Sequence, residues 1–156
     1  MSIARVPEND GTRWLLAGGV LSFLAAALHL ACIVGGGDWY RFFGAGEQIA
    51  RAAERGSPVP ALMTAGIATM LAVFGAYAWS GAGRIGRLPL LRTGLIAIAA
   101  IYLLRAAMGL SAVSWGRSDL SAAFMFWSSV IVLIYGLAYS VGTWRAWPSL
   151  SNKEFA

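Results

Sequence analysis

The chain has 156 residues, 58% hydrophobic and 12% charged, with a net charge of +5 and a mean hydropathy of +0.66. A water-soluble helical domain is excluded, because each of its helices would need a polar face toward water, and the length leaves room for one membrane bundle only. The basic excess does not point to nucleic acid: the 12 Lys and Arg are scattered between apolar stretches rather than gathered in one run or on one face.

The first apolar stretch is Trp14–Val34, close to the ~20 residues that a helix needs to cross a ~30 Å hydrocarbon core. At about 21 residues it is long for the apolar core of a cleaved signal, and Glu8 and Asp10 precede it beside Arg5 and Arg13. It is therefore expected to be retained as a span. Gly35-Gly36-Gly37 then predicts a sharp end to this helix, because glycine adopts backbone angles that other residues avoid.

The segment Trp39–Arg55 predicts an amphipathic helix lying on the membrane surface. Trp39, Phe42, Phe43, Ile49, Ala50 and Ala53 share one helical face, and Glu47, Arg51, Glu54 and Arg55 lie largely on another. Glu47 and Arg51 stand at the i,i+4 spacing in its favourable order, worth ~0.2–0.5 kcal/mol. Pro58 and Pro60 open the second stretch, Ala61–Ser80. The short basic loop Gly81–Arg87 leads to the third, Leu88–Leu110, which is apolar all round over Leu95–Leu104. A short loop with Trp115 near the interface precedes the fourth, Ala122–Gly142, and Trp144, Trp147 and Pro148 close it before a polar tail. The predicted fold is thus all-α, an integral membrane four-helix bundle with a short amphipathic interfacial helix in its first outer loop, as one domain over residues 1–156. Gly18, Ser22 and Ala26, and Gly136 with Ser140, put small residues at four-residue spacing for close helix packing.

Four spans place both termini on one side. That side holds Arg5, Arg13, Arg84, Arg87, Arg92, Arg145 and Lys153, seven basic residues against four opposite (Arg41, Arg51, Arg55 and Arg117). Short cytoplasmic loops retain Lys and Arg, so both termini are expected in the cytoplasm. The alanine- and arginine-rich composition points to a bacterial inner membrane. The four-span layout resembles that of several small bacterial membrane families, the DoxX-like group among them. The resemblance lies in hydropathy, and no residue carries over from it.

The remaining basic residue, Arg105, falls inside the third span, about five residues or roughly 7–8 Å from its outer end. His29 lies about as far from the outer end of the first span. Tyr102 is one turn below Arg105 on the same face, Asp38 and Glu47 lie in the outer loop, and Thr64 and Ser128 or Ser129 reach the same level. Charges within spans are expensive and face protein or water. His29, Arg105, Tyr102, Glu47 and Asp38 therefore form a candidate polar pocket for an anionic head group or carboxylate. Two plainer fates stand beside it for Arg105: an ion pair with Glu47 or Asp38, or snorkelling to the interface. His29 reads equally as a satisfied structural histidine and Cys32 as an inert buried thiol.

One histidine and one cysteine leave no bis-imidazole site, disulfide or paired-cysteine metal site within the chain. The glycines at 81, 83 and 86 have dinucleotide-fingerprint spacing but follow a membrane span and no strand. No cofactor, metal or catalytic residue is expected. The leading expectation is a non-enzymatic accessory or lipid-contacting protein, with membrane lipid and either further copies of the chain or a larger membrane complex as partners. The alternatives are an oligomeric transporter or channel for a small solute or ion, and an enzyme acting on a lipid or quinone through His29 and Arg105.

Overall fold

The computed structural model of the protein describes residues 10–114 and 122–151. Five helices follow one another: α1 Asp10–Phe42, α2 Glu47–Glu54, α3 Val59–Gly81, α4 Leu91–Ser114 and α5 Ala122–Ala146, with a 3-10 turn over Ser149–Ser151. Among the described residues there is no strand. α1, α3, α4 and α5 are each long and apolar enough to cross a membrane. The predicted Trp115 loop and Arg117 lie outside the described residues.

The long helices form a four-membered ring in the order α3, α1, α5, α4, with α4 closing sparingly back onto α3. Leu15, Phe74, Leu95, Ile98 and Tyr139 fill the centre. The outer surface is apolar on each of the four long helices, with Leu24, Leu62, Leu104 and Ile131 all exposed. In water such a surface would aggregate; in lipid it is the matching solvent.

Apolar burial gives little drive between helices in lipid, so close packing must hold them together. The predicted small residues do this. A Cβ on Gly18 would lie 3.0 Å from the Tyr139 ring, and one on Gly136 would lie 2.7 Å from Leu103 Cδ2. At the end of the bundle that carries the termini, a Cβ on Gly11 would meet the Ala146 backbone nitrogen at 2.4 Å. There α1 and α5 approach backbone to backbone.

The glycine triplet ends the first straight run of α1, as its sequence predicts. Gly36 leaves helical geometry with a positive φ (66°), and a second helical piece follows across the kink to Phe42. Its neighbours are needed for space: a Cβ on Gly35 would enter the Trp39 ring, and one on Gly37 would lie 2.7 Å from Glu54 Oε1. The predicted surface helix is likewise split. Gly44 and Gly46 (φ 73° and 91°) reverse the chain, so Trp39–Phe42 belongs to the bent end of α1 and only Glu47–Glu54 forms α2. Ile49, Ala50 and Ala53 then pack on Cys32, Tyr40 and Phe43 rather than into lipid.

Candidate functional site

Polar side chains gather at three levels of the bundle. The central one joins all four spans. Ser22 Oγ of α1 lies 3.0 Å from Tyr102 Oη of α4 and 2.9 Å from Tyr139 Oη of α5, and Tyr139 donates to the Phe74 carbonyl of α3 at 2.9 Å. Since Tyr139 gives its proton to Phe74, Ser22 donates to Tyr139 and Tyr102 donates to Ser22. Each hydroxyl then donates once, and no buried donor is stranded. The Tyr102 ring meets those of Phe74, Tyr135 and Tyr139 at centroid distances of 5.6, 5.3 and 5.5 Å, within the range of favourable aromatic pairs. Tyr102 therefore faces the bundle centre. Arg105, three residues on and so rotated by about 60°, stands at the exposed surface.

The second level caps the end of the bundle opposite the termini. Arg41, at the end of α1, bonds Glu47 Oε2 (2.8 Å), Glu54 and Asp38, and Arg51 bonds Glu47 Oε1 at 2.7 Å. Tyr40 accepts a hydrogen bond from Thr64 Oγ1 of α3 (3.2 Å). Asp38 and Glu47, the acids considered as partners of Arg105, are thus taken by Arg41. Arg41 escaped the sequence reading because it faces its acids only after the reversal at Gly44 and Gly46. The one local signal was Asp38 three residues before it.

Hydrogen bonds from Arg41 and then Arg51 hold the Glu47 carboxyl down at about 2, and Arg41 holds Glu54 below the usual carboxylate range. A lowered carboxyl contributes stability above the ordinary pKa and loses it as the pH falls through the lowered one. An Arg41→Gln protein should therefore melt below the parent at neutral pH. The two melting temperatures should converge between pH 4.5 and about 2 in a pH series of thermal unfolding. A gap that persists unchanged at pH 2 would count against these pairs.

The third level lies where α4 meets α5 in the half of the bundle opposite the termini. α4 runs on to Ser114, so Arg105 lies nine residues, about 13–14 Å, from the helix end, deeper than the sequence placed it. Its guanidinium extends toward the C-terminal end of α4, over Gly109. A Cβ there would sit 2.9 Å from Arg105 Nη1 and 2.0 Å from Ser129 Oγ. Ser129 is fully buried, and its hydroxyl has no hydrogen-bond partner. Among the described residues Arg105 itself makes no hydrogen bond or ion pair.

His29 sits on α1, which is diagonal to α4 in the ring. Its Nδ1 lies 2.8 Å from the Ala25 carbonyl of its own helix, which makes Nδ1 the protonated nitrogen. No bond links His29 to Arg105. No family model, curated protein or solved structure matches the chain. Any function must therefore be argued from these side chains.

The arrangement brings together Arg105 and Ser129, links Tyr102 to the core, and assigns Asp38 and Glu47 to the cap. A guanidinium carries five N–H donors. Here it stands within a helix long and apolar enough to cross a membrane, and it lacks a protein anion among the described residues. Such a group can hold a phosphate or carboxylate oxygen arriving from the membrane side. No group of His, Cys, Asp and Glu able to hold a metal ion occurs among the described residues.

Proposed function

We propose that this protein is a lipid-contacting accessory protein of a bacterial inner membrane, and that Arg105 anchors an anionic head group in the outer leaflet. The observation that carries this reading is a guanidinium within α4 with no protein acceptor among the described residues, beside the unpartnered Ser129 hydroxyl. A charge within a span is expensive unless it has a partner, and an anionic lipid oxygen reaching this exposed face would supply one. The test is the melting temperature of the parent and Arg105→Leu proteins with anionic and zwitterionic lipid.

Cytoplasmic termini are supported by the basic residues at that end, where Arg84, Arg87, Arg92 and Arg145 fall in or beside short connections. A reporter that fluoresces only in the cytoplasm should light when fused after Ala156. A periplasm-active reporter inserted near Ser57 should work in the same cells. The reverse pattern would move the Arg105 site to the inner leaflet.

A further inference from the structure

Two concave surfaces follow one another along α4 at the end of the bundle that carries the termini. The upper, about 740 Å³ and open, is lined by the start of α4 with Arg87, Leu90, Arg92 and Thr93. The lower, about 390 Å³, is an apolar cleft between α4 and α5 lined by Ile96, Ala100, Leu103, Thr143, Trp144 and Trp147. We infer that together they form a second site, for one anionic glycerophospholipid of the leaflet on the termini side, separate from Arg105.

Length supports a single lipid. From Arg92 to Leu103 is eleven residues, about 16 Å along the helix, which matches the ~15 Å of one leaflet of a ~30 Å core. The order of chemistry along that length is that of a phospholipid. At the top stand Arg87 and Arg92, beside the first N–H groups of α4, which have no acceptor within the helix. Arg92 donates through Nη2 to the Trp147 carbonyl (3.2 Å) and lies over the Trp147 ring at 4.4 Å, while its buried Nε has no partner. One turn inside the end of α5 comes Thr143, 5% exposed, whose Oγ1 also lacks a partner. An ester carbonyl of the glycerol backbone belongs at this depth and would accept from it. Below Thr143 the cleft carries one further hydroxyl residue, Ser140, and is otherwise apolar down to Leu103.

Charge selects the head group. Of the described acids, Asp38, Glu47 and Glu54 belong to the outer cap, and Asp10, at this end, is held by Arg145 at 3.5 Å. Arg92 thus faces no competing carboxylate among the described residues, while Arg87 is already engaged and donates to the Leu150 carbonyl. A buried hydroxyl and a buried guanidinium N–H left unmade each carry a desolvation cost, which a bound phosphate and ester would relieve.

The test is made in the Arg105→Leu protein, so that the outer site is silent, by titrating phosphatidylglycerol or phosphatidylcholine of identical chains into detergent and following melting temperature. Phosphatidylglycerol should stabilise more. Ala100→Phe, which fills the cleft from its exposed side, should abolish that difference. Arg92→Gln should weaken apparent affinity about tenfold or more, the share of a charge-assisted hydrogen bond. Thr143→Val should weaken it about fivefold. Without lipid, Thr143→Val should melt at or above its parent, because it removes an unpaired buried hydroxyl. Equal stabilisation by the two lipids, an unchanged difference in Ala100→Phe, or full reproduction of the effect by inorganic phosphate would overturn the proposal.

Discussion

Arg105→Leu is expected to melt within about 1–2 °C of the parent without lipid, the usual range for an exposed site with no bonded partner. With anionic lipid the two proteins should part. At a lipid concentration about 100 times Kd, a single bound head group stabilises the parent by ~2.7 kcal/mol, or about 5–10 °C for a chain of this size. Measured in an Ala100→Phe background, where the α4–α5 cleft is filled, that gain should vanish on replacing Arg105. Arg105→Lys should keep part of it, since an ammonium offers a point charge but no planar fork. The arrangement of the cap sharpens the experiment. Because Arg41 and Arg51, not Arg105, bond Glu47, the effects of Arg105→Leu and Glu47→Gln should simply add. Strong coupling between them would instead mean that the two side chains meet. An Arg105→Leu protein whose response to anionic lipid equals its parent's would leave Arg105 a snorkelling side chain.

The largest loss of stability should come from Tyr139. It is fully buried, its ring lies against Gly18 and Tyr102, and its hydroxyl links α1 to α3. Truncating a buried aromatic removes transfer energy and leaves a cavity, so Tyr139→Ala should cost about 3–5 kcal/mol and lower the melting temperature by about 6–20 °C. Tyr139→Phe keeps the ring and loses only the hydroxyl. Hydrogen bonds between membrane helices average ~0.6 kcal/mol and reach ~1.7, so its loss should be several times smaller than that of the alanine. Ser22→Ala added to Tyr139→Phe should cost less than Ser22→Ala alone, because the Ser22–Tyr139 bond is already gone. Thermal or denaturant unfolding in detergent measures all four proteins. If Tyr139→Ala melts like Tyr139→Phe, the ring does not pack the centre of the bundle.

The membrane bundle follows from hydropathy alone. Lipid demands that each spanning segment satisfy its own backbone, so four apolar runs of about 20 residues imply four helices whatever their order in space. Local pattern also carried the Glu47–Arg51 pair and the packing roles of Gly18 and Gly136, because i,i+4 neighbours and small-residue stripes follow from helical periodicity. The break at Gly36 was legible in the glycine triplet, which allows positive φ. That the chain re-enters a helix directly beyond it was not, because this depends on the packing of Trp39 on Gly35 and Glu54 on Gly37. Nor could spacing say which acids Arg41 would reach, or that Tyr102 turns inward and Arg105 outward. Those choices depend on which face of α4 meets α5, and four helices apolar all round carry no pattern that fixes rotation. The ring order sets it, by bringing Ser22, Phe74, Tyr102 and Tyr139 to one buried point and leaving Arg105 on the surface beside the hydroxyl of Ser129.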